Sequence, residues 1–152
     1  RIQRLALCLG QRLGVAVAAV ILDPKRRVRG IGDSKALTEA QRETLYPRIV
    51  AAAIAYRIVI IAAAEIDRIN IFQATMHGMR EALANLATTP SMARIDGNHL
   101  PRDLPCHAEA WIGGDARCRS IGAASILAKV TRDRLLVELD VRYPAYGFAP
   151  HK

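Results

Sequence analysis

The apolar positions of the chain alternate between short continuous runs and longer periodic stretches, a pattern typical of a sheet covered by helices. Val15–Leu22 is a continuous apolar run of strand length that ends at Asp23-Pro24, and it predicts a strand buried inside the sheet. Ile58–Ala64 predicts a second buried strand, and Met92–Ile95 and Ala108–Ile112 predict two shorter ones. Strands that alternate with helices along the chain indicate the α/β class.

Three helices are predicted between and after these strands. Thr38 and Gln41 form a capping box, which predicts a helix that runs to about Tyr56 and is kinked at Pro47. A second helix follows the cap at Asn70, and its expected core positions are Phe72, Met76, Met79, Leu83 and Leu86. A third begins near Ser120, and its expected buried stripe is Ile121, Ala124, Ala128, Leu135 and Leu139.

The charge of the chain changes the picture from an ordinary α/β domain to one that attracts polyanions. The 152 residues fit a single domain, and 22 Lys and Arg against 14 Asp and Glu give a net charge of +8. Such an excess favours nucleic acid as a partner, although basic residues also serve simply to keep a surface soluble. Aromatic residues make up only 5% of the chain, so a duplex held by its phosphates is expected rather than a base-stacking platform.

Cysteine usage and hydropathy indicate the cellular compartment of the protein. Cys8, Cys106 and Cys118 are odd in number and lack a C-x-x-C spacing, which indicates free thiols in a reducing compartment, the cytoplasm. A zinc site at Cys106, His107 and Cys118 is not favoured, because paired ligands and a fourth partner are missing. No apolar run approaches the roughly 20 residues of a membrane span, so no membrane partner is expected.

Two acids stand where consecutive predicted strands end. Asp96 follows Met92–Ile95, and Asp115 follows Trp111-Ile112 and two glycines. If the strands are neighbours in the sheet, the two carboxylates could share a divalent cation, and Mg²⁺ or Mn²⁺ prefers such oxygen ligands. Two such ions would activate a water and stabilise the leaving oxygen of a phosphodiester. The simpler alternative is that Asp115 only caps a loop.

From Val15 to Lys152 the chain resembles ribonuclease HII, a bacterial enzyme that nicks the RNA strand of RNA–DNA hybrids and duplexes with embedded ribonucleotides. The matching segments are Val20–Pro24, Asp33–Lys35, Glu65–Asp67 with Asn70-Ile71, Ile95–Asn98, Gly114-Asp115, Ala123–Asp133, Tyr143-Pro144, Tyr146–Phe148 and His151-Lys152. Any one of these matches is weak, but their number and order are specific to the family.

The resemblance implies a ribonuclease H-like fold, with a mixed five-stranded sheet flanked by helices, in a protein expected to be a monomer. It also implies a site of four carboxylates that binds two Mg²⁺ or Mn²⁺ ions, with Asp96 as the third acid and Asp115 as the fourth. The partner it implies is an RNA–DNA hybrid, or DNA with embedded ribonucleotides. Residues of matching motifs expected at the nucleic acid are Ser34, Lys35, Asn98, Lys129, Arg132, His151 and Lys152. Lys129 and Arg132 could instead have a structural role.

The chain also departs from the family pattern. The first two acids of the family lie in an Asp-Glu-x-Gly-Arg-Gly motif on the first strand, whereas residues 1–22 contain no Asp or Glu, so residues 1–14 form an aberrant or unmatched first strand. The chain ends at Lys152, before the Gly-Tyr that the resemblance places next, and Gly113 stands where Lys is usual. Two main hypotheses remain: a metal-dependent endoribonuclease impaired by its first strand, and a non-catalytic protein that binds RNA–DNA hybrids. A third, an unrelated α/β protein with an acidic pocket such as a phosphoryl receiver, is disfavoured by the long match over Ser120–Asp133.

Overall fold

The computed structural model of the protein describes residues 2–8 and 14–151, with side chains described for residues 14–150. Its strands are β1 (Ile2–Cys8), β2 (Val15–Leu22), β3 (Ala53–Ile61), β4 (Met92–Asp96) and β5 (His107–Trp111). They form one sheet in the order β3-β2-β1-β4-β5. β2 pairs antiparallel with both β1 and β3, while β4 pairs parallel with β1 and β5. The carboxyl ends of β1, β3, β4 and β5 therefore share one edge of the sheet.

Helices cover both faces of this sheet. They are α1 (Glu39–Ala52), α2 (Ala63–Ile69), α3 (Ile71–Ala84), α4 (Gly114–Arg117) and α5 (Arg119–Arg142), followed by two 3₁₀ turns at Pro144–Tyr146 and Ala149–His151. None of the helices in the described ranges is long and apolar enough to cross a membrane.

The predicted strand Val15–Leu22 is confirmed, both in its bounds and in its place inside the sheet. Seven of its eight residues are buried, because one face of β2 packs under α1 and α5 and the other under α3. Alternate residues of β2 therefore belong to two different cores, with Ala16 and Ala18 in one and Val15 and Val17 in the other. A strand buried on both faces needs a continuous apolar sequence, as seen here.

The boundary between the first helix and the second predicted strand was wrong. The capping box at Thr38 is present, and α1 continues through Pro47, but the helix ends at Ala52 rather than near Tyr56. Ala53–Ile61 then pairs along the whole of β2, from Leu22 opposite Ala53 to Val15 opposite Ile61. This pairing outweighs the helix propensity of the alanines, because it satisfies the backbone of a buried neighbouring strand.

The predicted cores of the two later helices are confirmed only in part. In α3, Met79 and Leu83 are buried, but Phe72 in the first turn is 45% exposed. In α5, Ile121, Ala124 and Ala128 are fully buried, whereas near its end Leu136 is buried and Leu135 is only partly covered. Of the two methionines of α3 that were predicted in the core, Met79 is fully buried, and Met76 is partly buried against the same cluster.

Candidate active site at the carboxyl edge of the sheet

Asp96 and Asp115 meet at the carboxyl edge of two neighbouring parallel strands. Asp96 is the last residue of β4, and β5 beside it ends at Trp111 in register with Asp96. The Asp96 Oδ1 accepts a hydrogen bond of 2.7 Å from the backbone N–H of Gly114, the residue that precedes Asp115. The chain between β5 and α5 is thus fastened to one acid at the point where it presents the other.

Two glycines allow this tight connection. Gly113 has a φ of +63°, a left-handed conformation in which a residue with a side chain is strained. A Cβ at Gly114 would lie 2.5 Å from Ile121 Cδ1 and 3.2 Å from Asp96 Oδ1. A side chain at Gly114 would therefore displace the hydrogen bond that joins the two acids. The glycine at position 113 fits the backbone conformation seen here.

Asp115 is held in a poorly solvated and negatively charged environment. Its side chain is buried beneath α5, and burial, together with the negative charges of Asp96 and Asp33, raises the pKa of its carboxyl group. The backbone N–H of Ala116, which donates to Asp115 Oδ1 at 3.0 Å, and the ammonium of Lys35 act in the opposite direction on this pKa. Repulsion among these acids is what a bound cation would relieve.

The segment Asp33–Lys35 is fixed next to Asp115 by contacts with α1 and α5. Ser34 is buried, and its hydroxyl shares a hydrogen bond of 2.8 Å with the hydroxyl of Ser125. Arg42 donates to the carbonyl oxygens of Ser34 at 3.0 Å and Leu37 at 2.5 Å. The predicted contact of the Ser34 side chain with nucleic acid is not what this geometry favours: the hydroxyl is occupied in holding the loop.

Gly122 completes the support from α5. A Cβ at this position would lie 3.0 Å from the carbonyl oxygen of Asp115 and 3.1 Å from that of Gly32. A side chain at position 122 would push these two backbones a few tenths of an ångström away from the helix, and the glycine lets both approach it closely. The loop that carries Lys35 and the turn that carries Asp115 are thereby brought together on one helix.

Lys129 and Arg132, both predicted at the nucleic acid, surround a buried acid in this structure. Asp133 is 3% exposed, and its Oδ1 accepts a hydrogen bond of 2.8 Å from Lys129 Nζ. Arg132 approaches the same oxygen at 3.7 Å, and Arg42 approaches Asp133 Oδ2 at 3.8 Å. This arrangement favours the structural role of Lys129 and Arg132.

The remaining predicted residues are at the surface or outside the described side chains. Lys35 and Asn98 are exposed, the first beside Asp115 and the second two residues after Asp96. The side chain of His151 and the whole of Lys152 lie outside the described residues. Sequence reasoning missed Arg42 and Ser125 as anchors of the loop, since nothing in the local sequence of either residue indicates contact with residues 32–35.

The donor atoms of the acid pair fit a hard divalent cation in kind, because both are carboxylate oxygens, and burial together with the charges of Asp96 and Asp33 raises the pKa of the Asp115 carboxyl group. The pair supplies two carboxylate side chains. Among residues 14–150, whose side chains are described, no group of three or more His, Cys, Asp or Glu side chains is arranged to hold a metal ion. This also leaves the zinc arrangement of Cys106, His107 and Cys118 without support.

We expect Asp115→Asn to make the metal-free protein more stable at neutral pH. A carboxyl group whose pKa is raised on folding adds stability that is fully present below its unfolded pKa and is lost as the pH rises through the folded pKa. The uncharged amide escapes this loss, so the stability difference between variant and unaltered chain should shrink as the pH falls below about 4. Urea unfolding in the presence of a chelator, at pH 7 and at acidic pH, measures it.

Asp67→Asn is the matched control, because Asp67 is an exposed acid on α2 and its substitution removes the same charge. A variant Asp115→Asn that is less stable than the unaltered chain at pH 7 would contradict the account of Asp115 as a repelled, poorly solvated acid.

The sheet order, the helices on both faces and the acids at the carboxyl edge define a ribonuclease H-like protein, and this predicted fold is confirmed by solved structures. Ribonuclease H2 from Pyrococcus horikoshii OT3 superposes with a TM-score of 0.81 at 25% identity, over 95% of this chain and 79% of that one. The PCNA:RNase HII complex from Archaeoglobus fulgidus gives 0.75 at 21% identity, over 94% and 77%. Bst-RNase HIII in complex with Mn²⁺ gives 0.68 at 15%, over 93% and 54%. The last two similarities concern the fold alone.

Residues 9–152 match the sequence profile of the family described as Ribonuclease HII, and the chain belongs to that family. Ribonuclease HII of Xanthomonas axonopodis pv. citri (strain 306) is 60% identical over 139 residues, which are 91% of this chain and 57% of that protein. Ribonuclease HII of Xylella fastidiosa (strain M12) is 58% identical over 91% of this chain and 59% of its own length. The chain thus spans less than two thirds of these relatives.

Proposed function

We propose that the protein is an endoribonuclease of the ribonuclease HII type, which hydrolyses the RNA strand of RNA–DNA hybrids and nicks duplexes at embedded ribonucleotides. The observation that carries the proposal is the pairing of Asp96 with the Gly114-Asp115 turn at one sheet edge, next to the cation of Lys35. Membership of the ribonuclease HII family supports the assignment of this site to a ribonuclease, which is a hydrolase.

Asp96 and Asp115 are the side chains that would hold Mg²⁺ or Mn²⁺. When bound, the cation would supply an activated water and stabilise the charge that develops on the phosphate. A structurally similar ribonuclease HIII was determined in complex with Mn²⁺, which supports a divalent cation without deciding between the two. The hydrogen bond from Gly114 to Asp96 keeps the two carboxylates in a fixed relation before any cation arrives.

Lys35 is the side chain that would hold the nucleic acid backbone beside these acids. It is exposed, and its own loop is fixed by Ser34 and Arg42, so its ammonium can bind a phosphate without ordering the backbone first. Asp33 Oδ1 accepts from the backbone N–H of Lys35 at 2.8 Å and so shapes this turn. Asn98 is exposed two residues after Asp96, and in this proposal its amide donates to a second backbone group of the same strand.

We propose further that the chain cleaves poorly as its sequence stands. Two carboxylates are described at the edge, and residues 1–22 contain no acid that could add the other two of the family pattern. The same observation favours the second candidate function, a non-catalytic protein that binds RNA–DNA hybrids. Cleavage in Mg²⁺ separates the two.

The proposed compartment is the reducing cytoplasm, supported by the free thiols of Cys106 and Cys118. The proposed oligomeric state is a monomer, which sedimentation at several concentrations would test.

Lys35→Ala should weaken the binding of an RNA–DNA hybrid and reduce its dependence on salt. If Lys35 neutralises one phosphate, its loss should lower the slope of log affinity against log salt by about one. Fluorescence anisotropy with a labelled hybrid at four or more salt concentrations measures both quantities.

Lys25→Ala is the matched control. Lys25 is exposed and lies three residues after Leu22, the last residue of β2. Because β2 runs antiparallel to the strands that lead to the acids, it ends at the opposite edge of the sheet. Equal slopes for Lys35→Ala and the unaltered chain would show that Lys35 contacts no phosphate, and no binding at any salt concentration would contradict the proposed function itself.

A further inference from the structure

A cleft of about 700 Å³ lies between α2, the first half of α3 and the loop after β4. Its walls are formed on one side by Glu65–Ile69 and Phe72–Arg80, and on the other by His99–Asp103. The volume is within the range of pockets that bind small molecules, roughly 300–1,000 Å³. Neither the acid pair nor the loop that carries Lys35 lines this cleft.

The walls carry an excess of positive charge. Arg68, Arg80 and Arg102 line the cleft together with two histidines, against the acids Glu65 and Asp103. The charge of Glu65 is already matched, because Arg68 donates to both of its carboxylate oxygens, at 3.0 and 2.6 Å. Among the acids that line the cleft, Asp103 alone is left to neutralise the positive charges of Arg80 and Arg102. The lining therefore has a net positive charge, which favours a ligand with negative groups.

Exposed apolar surface lies beside these cations. Phe72 is 45% exposed and Leu100 43% exposed, and both line the cleft. The ring of His99 meets that of Phe72 edge to face, with centroids 5.1 Å apart. Aromatic rings and guanidinium groups that line one cleft are the combination that binds an unpaired nucleotide, by stacking on its base and pairing with its phosphate.

The cleft lies at the same edge of the sheet as the candidate active site. β3 and β4 run in the same direction, so α2, which follows β3, and His99, which follows β4, both lie at the edge of Asp96. His99 is three residues from Asp96, a chain distance of at most about 11 Å. A strand that passes the acids therefore has a short path to the cleft.

We propose that this cleft binds an unpaired nucleotide of a strand that extends beyond the duplex at the acid pair. Its base lies against Phe72 and His99, and its phosphates lie near Arg80 and Arg102. The inference rests on the proposed function, since that function brings nucleic acid to the edge. It adds to that function a preference for substrates with a single-stranded extension at one end.

The test compares a blunt RNA–DNA hybrid with hybrids that carry four unpaired nucleotides on one of the four strand ends in turn. We expect one extended hybrid to bind the unaltered chain at least about fivefold more tightly than the blunt one, the lower range for one base stacked on an aromatic side chain. Phe72→Ala and Arg102→Ala should each reduce this gain and leave the affinity for the blunt hybrid unchanged. An extension without bases should give no gain in the unaltered chain.

Two control variants remove similar groups elsewhere. Tyr56→Ala removes an exposed ring from β3, and Arg48→Ala removes an exposed cation from α1, neither of which lines the cleft. Both should keep the gain. Equal affinity for blunt and extended hybrids, or a full gain in Phe72→Ala, would overturn the proposal. So would an acidic peptide that displaces the extended hybrid but not the blunt one.

A single-stranded octanucleotide, measured in parallel, distinguishes failure of the cleft proposal from failure of the proposed function. If the blunt hybrid does not bind at all, the proposed function fails. In that case the cleft proposal is still supported if Phe72→Ala binds the octanucleotide more weakly than Tyr56→Ala does. If the hybrid binds and the octanucleotide is indifferent to Phe72, the cleft proposal fails and the proposed function stands.

Discussion

Replacing residues 1–14 with a strand that carries Asp-Glu-x-Gly-Arg-Gly should raise the rate of Mg²⁺-dependent nicking by at least about a hundredfold. Removing one group that stabilises transition-state charge typically costs a factor of about 10²–10³, and the replacement supplies two carboxylates. Both chains should carry the Gly-Tyr of the family after Lys152, so that only the first strand differs. The assay is nicking of a duplex with one embedded ribonucleotide, in Mg²⁺ and in Mn²⁺.

The topology shows why this strand has so large an effect. β1 pairs parallel with β4, and Leu5 lies opposite Ile95. The next position along β1 is therefore level with Asp96, at the edge where Asp115 also lies. Carboxylates on a strand at this place are expected to join the existing pair, with the strand order of the sheet unchanged.

The same replacement with Asn-Gln in place of Asp-Glu is the matched control, since it preserves size and hydrogen bonding and removes only the charge. It should remain as slow as the unaltered chain. Robust nicking in Mg²⁺ by the unaltered chain, or by the Asn-Gln chain, would show that Asp96 and Asp115 suffice or that other residues hold the cation.

Asp133→Asn should lower the free energy of unfolding by about 3 kcal/mol. The Asp133 side chain is 5% exposed and receives the charges of Lys129, Arg132 and Arg42, whose side chains are at most 20% exposed. Removing one partner of a buried ion pair costs about 3–5 kcal/mol, because the opposite charges remain without compensation in a poorly solvated place. Urea unfolding at neutral pH gives the free energy.

Glu43→Gln removes the same charge from an exposed pair. Arg134 binds Glu43 at 2.6 Å, but the two side chains are 52% and 39% exposed, so the loss should stay below about 1 kcal/mol. Similar losses for Asp133→Asn and Glu43→Gln would show that the three cations are solvated well enough to do without Asp133.

Local patterns predicted the parts of the fold that are determined locally. Thr38 with Gln41 and Asn70 with Gln73 mark helix starts because the cap and its partner are three residues apart. The run Val15–Leu22 was predicted as a buried strand because burial on both faces demands an unbroken apolar sequence. The start of β3 at Ala53 was not predicted, because alanines suit a helix as well as a strand and only pairing with Leu22 decides between them.

The candidate site was predictable to a similar degree. An acid after each of two strands indicated Asp96 and Asp115, since the carboxyl ends of neighbouring parallel strands meet. The position of Lys35 beside them depends on the hydrogen bond between Ser34 and Ser125, which joins residues 91 positions apart. The periodicity of apolar residues does not indicate such a contact. Nor does it indicate that Asp33 raises the pKa of Asp115.

The central place of β1 has a consequence for how the chain assembles during synthesis. β1, β2 and β3 are consecutive and antiparallel, so they can form a three-stranded unit early, in which β1 is an open edge. That edge pairs with β4, so Ile2 can form its backbone pairing only after Met92 has been synthesised. Until the ribosome has added this segment, the unpaired edge is a template for association with other chains. The strand that would complete the acid site is thus also one that leaves the nascent protein open to aggregation.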